Sequence, residues 1–212
     1  QEELLDQVLV ALFAGGHVLL IGVPGSAKTL LVSTLAKTLD MNFKRVQFTP
    51  DMMPSDITGT EVLQEDKETG EKQFQFVLGP LFTNLILAQE INRTPPKTLA
   101  ALLAAMQEYH VTAGGRTYPL GRPFFVLATQ NPIDQEGTYQ LPEAQLDRFL
   151  LKVSVTYPEK EDELVILDRM ATSTPPYETQ TVASPEQVAG SRALVNQIYI
   201  DPAVRPYIVE LI

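Results

Sequence analysis

The stretch Gly22-Val23-Pro24-Gly25-Ser26-Ala27-Lys28-Thr29 lies between an apolar segment, residues 17–21, and a segment with helical spacing, residues 28–39. The apolar segment predicts a buried strand, and the leucines at 30, 31 and 35 predict a helix. A turn rich in glycine and proline that joins a strand to a helix and ends in Lys-Thr is typical of a loop that binds phosphate. This order of strand, loop and helix is therefore the starting point for predicting the rest of the fold.

The chemistry of this loop follows from its backbone and from two side chains. Backbone N–H groups of a tight loop, together with a helix N-terminus, surround phosphate oxygens. Lys28 can reach the β- and γ-phosphates of a nucleotide, and the Thr29 hydroxyl can ligate Mg²⁺. Ala27 stands where the pattern has glycine, which is compatible with the loop if that residue already has helical backbone angles. The alternative is a Gly/Pro turn that happens to precede a lysine, and the flanking strand and helix weigh against it.

The rest of the chain alternates apolar segments with helical patterns. Further strands are predicted at residues 43–48, 85–88, 123–129 and 149–155, and a helix at residues 95–108. This alternation predicts an α/β fold, an αβα sandwich around a mostly parallel sheet. Residues 61–63 and 74–77 flank a polar stretch and predict a projecting hairpin, and Gly114-Gly115 predicts a second, tight hairpin. After Tyr157 only helices are expected, so we predict a domain boundary between residues 1–157 and residues 158–212.

Composition limits the possible functions. The chain has 212 residues with 16 basic and 26 acidic side chains, a net charge of −10 and no cysteine. A disulfide framework and a thiolate metal site are excluded, and a reducing, cytoplasmic location is expected. The apolar stretch 8–23 is too short and too interrupted to span a membrane. The acidic balance without a run of Lys or Arg argues against nucleic acid as the main ligand.

Two of the predicted strands run into polar residues. Gln89 and Glu90 follow the strand 85–88, and Asn131 follows the strand 123–129. Ligands of parallel sheets bind beyond the carboxyl ends of the strands, so Glu90 and Asn131 are expected near the nucleotide. Glu90 can accept a proton from an attacking water, and Asn131 can orient that water or contact the γ-phosphate. The alternatives are a helix cap for Glu90 and a turn residue before Pro132 for Asn131.

Gln89 departs from the usual phosphate-loop site. The corresponding strand normally carries an Asp that holds the metal at this position. A neutral amide is a poor partner for hydrated Mg²⁺, which prefers anionic oxygen. Metal binding and hydrolysis are therefore expected to be weakened in this chain.

Arg148 precedes the last predicted strand. Its planar guanidinium suits phosphate better than a lysine does. Taken alone, a surface arginine paired with Asp147 or Glu143 is the favoured interpretation.

Three stretches together resemble the MoxR-type AAA+ ATPases: GVPGSAKT at residues 22–29, LILAQEINRTPPKTLAALLAAMQE at 85–108 and FFVLATQNPIDQEGTYQLPEAQLDRF at 124–149. The resemblance implies an αβα core with a helical lid, here truncated, and a ring, usually hexameric, with ATP between neighbouring subunits. Residues 22–29 would be the Walker A loop and Glu90 the Walker B glutamate. Asn131 would be sensor 1, and Arg148 the finger that reaches the adjacent subunit's γ-phosphate. The two hairpins resemble the family's helix-2 insert and pre-sensor hairpin.

The expected function is that of an ATPase, with ATP/ADP and Mg²⁺ as cofactors, that remodels or matures a client protein complex as a chaperone does. A second hypothesis is a nucleotide-binding scaffold with little turnover, which Gln89 favours. A third is a DNA-translocating motor, because helix-2 inserts occur in such relatives. The acidic charge and the lack of a basic patch weigh against this third hypothesis.

Overall fold

The structure is a computed structural model, and it describes residues 2–22, 28–65, 72–132, 137–171 and 179–211. Its strands are β1 (Val18–Gly22), β2 (Phe43–Gln47), β3 (Gly59–Glu65), β4 (Lys72–Leu78), β5 (Leu85–Gln89), β6 (His110–Ala113), β7 (Arg116–Pro119), β8 (Phe125–Gln130) and β9 (Leu151–Val155). Five of them form one sheet in the order β2-β5-β8-β1-β9, and all pairs in it are parallel. The predicted α/β fold with a parallel sheet is confirmed.

Eight α-helices accompany the sheet in the described residues. They are α1 (Glu2–Ala14), α2 (Lys28–Thr38), α3 (Pro54–Thr58), α4 (Pro96–Glu108), α5 (Glu143–Leu146), α6 (Lys160–Met170), α7 (Pro185–Val195) and α8 (Val204–Glu210). A 3₁₀ turn (Ile91–Arg93) links β5 to α4. None of the helices in these ranges is long and apolar enough to cross a membrane.

Both faces of the sheet are covered, because successive side chains of a strand point to opposite faces. On one face, Leu19, Ile86 and Val126 pack with apolar side chains of α4. On the other, Leu20 and Leu87 pack with apolar side chains of α1 and α2. The sheet is thus the middle layer of three, as the alternating sequence pattern predicts.

Two strand boundaries differ from the sequence prediction by two residues. β8 begins at Phe125 and not at residue 123, where proline has no N–H to donate to a neighbouring strand. β9 begins at Leu151 and not at Phe149, whose N–H bonds instead to the carbonyl oxygen of Leu146 in a helical turn. Both differences concern how the chain enters a strand, which hydrophobic patterning does not determine.

Both predicted hairpins are present. β3 pairs with β4 and β6 with β7, each antiparallel, while residues 66–71 of the first hairpin lie outside the described residues. Gly114 and Gly115 have φ angles of 55° and 74°, which fits a two-residue turn that requires positive φ twice. The ring of Phe76 stacks on that of Tyr118 with 4.0 Å between centroids. The two hairpins are therefore packed against each other near their bases.

In the described residues after β9 the regular elements are helices, and α7 packs on the sheet-containing part of the chain. Val188 of α7 is buried in the apolar cluster formed with α1 and α2. Arg192 Nε of α7 donates to the carbonyl oxygen of Leu12 at 2.8 Å, and Val182 N–H donates to that of Thr38 at 2.8 Å. The end of α1 therefore contacts α7, and the end of α2 contacts the segment just before α7. The domain boundary at residue 157 remains a prediction.

Candidate functional site

The strands of the central sheet all run in one direction, so the sheet has one amino edge and one carboxyl edge. Gly22, Gln89 and Gln130 end β1, β5 and β8 at the carboxyl edge. Glu90 and Asn131 follow directly in the chain, and Lys28 begins α2. Three separate segments that the sequence singles out therefore meet at one edge, as expected for parallel strands.

Lys28 connects the two ends of the predicted phosphate loop. Its Nζ donates to the carbonyl oxygen of Gly22 at 3.1 Å. Burial lowers the pKa of Lys28 from its ordinary value. The residues between them, Val23, Pro24, Gly25, Ser26 and Ala27, lie outside the described residues. The side chain thus extends back over the loop entrance, where the phosphates of a nucleotide would lie.

Gly22 pairs with Val155 of β9, whose atoms leave no room for a side chain at this position. A Cβ atom at this position would lie 2.6 Å from the carbonyl oxygen of Val155 and 2.9 Å from its Cβ. Backbone cannot move aside as a flexible side chain can, so any larger residue would push the loop away from β9. Glycine at the start of the loop is therefore required by packing.

Gln89 contacts the first turn of α2 directly. Its Nε2 donates to Thr29 Oγ1 at 3.3 Å, and both side chains are half-buried. Thr29 is therefore placed beside the residue that departs from the usual carboxylate. Its hydroxyl fits a magnesium ligand, but Gln89 supplies no negative charge next to it. The described residues contain no group of three or more His, Cys, Asp or Glu side chains that could hold a metal.

Glu90 is fixed by contacts with two other residues. Its backbone N–H donates to Thr129 Oγ1 on β8 at 3.1 Å. Its carboxylate Oε2 lies 2.7 Å from Arg93 Nε. Asn131 is buried two residues beyond Thr129, so the glutamate and the asparagine directly follow adjacent strands. The described geometry brings these two predicted residues to one edge of the sheet, beside Lys28 and Thr29.

Arg148 lies at the opposite edge. Its Nη1 donates to Gln107 Oε1 at the end of α4, not to Asp147 or Glu143. The N–H of Leu150, two residues later, bonds to the carbonyl oxygen of His17, just before β1 begins. Arg148 is therefore at the amino edge and does not join the other predicted site residues within one chain.

Arg93 and Thr129 contact Glu90, and sequence reasoning gave neither a role. Thr129 had a detectable signal, since a hydroxyl at the end of a buried strand needs a hydrogen-bond partner. Arg93 had a weaker one, since it lies three residues after Glu90, a spacing at which side chains meet only if the intervening residues form a helical turn. The sequence pattern after β5 does not reveal that turn.

A cavity of about 500 Å³ opens beside β9. It is lined by Glu3, Leu4 and Gln7 of α1, by residues 152–159 and by Asp162. Val155 of this lining pairs with Gly22 at the start of the loop. The cavity therefore borders β9, the strand that pairs with β1 ahead of the predicted loop.

Comparison with known proteins gives consistent matches. The sequence profile of the ATPase family associated with various cellular activities (AAA) matches residues 17–151. Chaperone MoxR1 of Mycobacterium tuberculosis is 46% identical over 212 residues, which are 100% of this chain and 55% of that protein. Protein YeaC of Bacillus subtilis is 47% identical over 204 residues, which are 96% of this chain and 62% of that protein.

A solved structure matches equally well. The crystal structure of a candidate ATPase from Cytophaga hutchinsonii has a TM-score of 0.89 and 48% identity, and the match covers 100% of this chain and 63% of that one. The chain thus spans less than two thirds of the length of these three similar proteins.

Proposed function

The chain belongs to the AAA+ ATPases, and within them to the MoxR type, and from this membership we propose that it binds ATP at the carboxyl edge of its sheet and hydrolyses it. The observation that carries the proposal is the convergence of Lys28, Thr29, Glu90 and Asn131 at that edge. Two hydrogen bonds connect the segments, from Gln89 to Thr29 and from Glu90 to Thr129. The geometry links segments more than one hundred residues apart in the chain.

Nucleotide binding is proposed for residues Gly22, Val23, Pro24, Gly25, Ser26, Ala27, Lys28 and Thr29. Lys28 exchanges its bond with the Gly22 carbonyl for the β- and γ-phosphates, which is favourable because burial weakens its contact with solvent. The N-terminus of α2 adds N–H donors to the phosphates. Thr29 would hold Mg²⁺, which supplies charge that neutralises the phosphates.

We propose that three side chains take part in hydrolysis. Glu90 accepts a proton from the attacking water, and Asn131 orients that water or contacts the γ-phosphate. Arg148 stabilises developing charge on the γ-phosphate of a second copy, because it lies at the edge opposite to its own chain's loop. This arrangement requires a ring in which the amino edge of one subunit meets the carboxyl edge of the next. We further propose that this ring is a hexamer in the cytoplasm. Its function would be to remodel or mature a client protein complex.

The first experiment tests binding. We expect Lys28→Ala to abolish tight ATP binding in titration calorimetry, because the substitution removes the cation whose Nζ lies beside the Gly22 carbonyl at the start of the loop. Lys37→Ala is the matched control, since Lys37 is an exposed lysine in the last turn of the same helix. Unchanged ATP affinity of Lys28→Ala would contradict the proposed binding site.

A second candidate function is a nucleotide-binding scaffold that assembles and switches with little turnover. The contact between Gln89 and Thr29 favours it, because an uncharged amide stands where hydrolysis normally uses a carboxylate. A steady-state phosphate-release assay distinguishes the two candidates, since both bind ATP and only the first releases phosphate at an appreciable rate.

A further inference from the structure

Glu90 has a backbone conformation that residues other than glycine rarely adopt. Its φ and ψ angles are 56° and 49°, in the left-handed region. Such a conformation is strained for a residue with a side chain and persists only where surrounding contacts impose it. Here the Glu90 N–H donates to Thr129 Oγ1 at 3.1 Å, and the Glu90 carbonyl accepts from the N–H of Arg93 at 2.9 Å. The direction in which the Glu90 side chain leaves the backbone is therefore fixed relative to β8.

Arg93 restrains the carboxylate of Glu90, whose position the backbone conformation alone does not determine. Its Nε lies 2.7 Å from Glu90 Oε2, across the 3₁₀ turn Ile91–Arg93 in which side chains three apart eclipse. The side chains of Arg93 and Glu90 are 35% and 28% exposed, so the pair is less screened than one on an open surface. Guanidinium and carboxylate thus form a close ion pair, in which opposite charges attract over a short distance. One carboxylate oxygen is thereby held in place, and the orientation of the other follows.

We propose that Arg93 is a positioning residue for nucleotide hydrolysis: it holds Glu90 Oε2 so that Glu90 Oε1 faces the attacking water. The inference rests on the proposed function, because it assigns Glu90 as the proton acceptor. A general base has to lie within hydrogen-bond reach of the proton that it accepts, and a carboxylate free to rotate spends only part of its time there. Arg93 acts through Glu90.

A double-mutant cycle in the assembled protein tests this role. Phosphate release is measured in single turnover, with subunits in excess over ATP, so that slow rates are accessible over hours. We expect Arg93→Ala to lower the rate constant about tenfold or more, with ATP affinity unchanged. We expect Arg93→Lys to recover part of the loss, because an ammonium still pairs with the carboxylate but lacks the planar shape of a guanidinium. In a Glu90→Gln background, Arg93→Ala should cause no further loss.

Each other result overturns the inference. A rate unchanged by Arg93→Ala means that Glu90 needs no such support. A higher rate means that Arg93 restrains Glu90 in an idle orientation. An equal loss in both backgrounds means that Arg93 stabilises the local fold and does not act through Glu90.

Two controls separate this inference from other failures. Arg45→Ala removes an exposed arginine from the neighbouring strand β2 and should leave the rate unchanged. Thermal unfolding of each variant checks its fold, and Arg93→Lys carries the test if Arg93→Ala does not fold. If Glu90→Gln has no effect, or the unsubstituted protein releases no phosphate, the proposed function fails and the inference with it. If Glu90→Gln lowers the rate and Arg93→Ala does not, only the inference fails.

Discussion

Arg148 donates to Gln107 at the amino edge of the sheet, whereas Lys28 lies over the loop entrance at the carboxyl edge. β1, which has five residues, runs from one edge to the other and spans about 16 Å. This distance exceeds the length of an arginine side chain, so Arg148 cannot contact phosphates that Lys28 of the same chain binds. Any role for Arg148 in hydrolysis therefore requires a second copy of the chain.

The first prediction follows from this separation. Arg148→Ala and Glu90→Gln should each lower turnover by about 10³-fold or more, because each removes one part of the proposed site. Rings assembled from a mixture of the two variants should regain part of the turnover. In such a ring some interfaces combine an intact Glu90 from one subunit with an intact Arg148 from the next. Phosphate release from the mixed rings is the measurement.

The control for this mixing experiment is the double variant Arg148→Ala/Glu90→Gln, mixed with either single variant. One subunit type then contributes neither residue, so no interface between unlike subunits contains both. Absence of recovery in rings that contain both single variants would count against an arginine supplied by a neighbour.

Gln107 should matter for turnover and not for ATP binding. It accepts a hydrogen bond from Arg148 and so restricts the directions in which the guanidinium can point. Gln107→Ala is expected to lower turnover about fivefold, the worth of one ordinary hydrogen bond, with ATP affinity unchanged. Gln140→Ala is the control, since Gln140 is an exposed glutamine. Equal turnover of the Gln107 and Gln140 variants would exclude this support of Arg148.

The layered fold could be predicted from the sequence because the arrangement of its layers follows from hydrophobic periodicity. Leu19 and Leu20 lie on opposite faces of β1, and each packs in a separate apolar cluster, as the uninterrupted apolar pattern of a strand buried on both faces requires. The carboxyl-edge position of Glu90 and Asn131 follows in the same way, from strand direction alone. The resemblance to a family supplies the role of Arg148, which composition and spacing do not.

The contacts of Glu90 could not be predicted because they depend on backbone angles that the sequence pattern does not encode. Nothing in the amino-acid sequence around residue 90 indicates a left-handed conformation or a 3₁₀ turn after it. Arg93 and Thr129 contact Glu90 because the backbone has this left-handed residue and this 3₁₀ turn. In the same way, the packing of Val188 against α1 and α2 depends on how the last helices turn back, which local pattern does not determine.

His17 should make the stability of the fold depend on pH. Its Nδ1 accepts from the N–H of Val126 at 3.0 Å, so its Nε2 carries the proton and donates to the carbonyl oxygen of Met106 at 3.2 Å. Burial lowers the pKa of His17 from 6.5 to about 4, and the charge of Arg192 adds to this effect. The imidazole is therefore neutral in the folded protein and has both nitrogens bonded.

The unfolded chain binds a proton at His17 below about pH 6.5, whereas the folded chain binds it only below about pH 4. The free energy of unfolding should therefore fall as the pH drops from 6.5 to 4, by about 3 kcal/mol in total from this residue. Urea unfolding at several pH values measures it. His17→Gln should be less stable at neutral pH but should lose less stability on acidification. The control is His110→Gln, which removes a partly exposed histidine paired with Glu108. An acid loss of equal size in His17→Gln and in the unsubstituted protein would contradict the assignment.

The last prediction concerns the amide of Gln89 beside Thr29. Replacing it with a carboxylate adds one negative charge next to the hydroxyl that would hold Mg²⁺, and Mg²⁺ prefers anionic oxygen. ATP should bind to both forms, because Lys28 and the N-terminus of α2 are unchanged. Hydrolysis should respond more strongly, because charge develops on the γ-phosphate as it is transferred. We expect Gln89→Asp to raise turnover at least about tenfold, which corresponds to about 1.4 kcal/mol of the barrier.

Gln89→Asn is the matched control, since it has nearly the shape of Asp and keeps the neutral amide. Phosphate release at saturating Mg²⁺ should therefore rise for Gln89→Asp and not for Gln89→Asn. ATP binding by the unsubstituted protein should also depend less on Mg²⁺ than binding by Gln89→Asp, because only the second has a carboxylate beside Thr29. Equal and rapid turnover of the unsubstituted protein and Gln89→Asp would show that the amide does not limit hydrolysis. That result would remove the one structural argument for the scaffold over the ATPase.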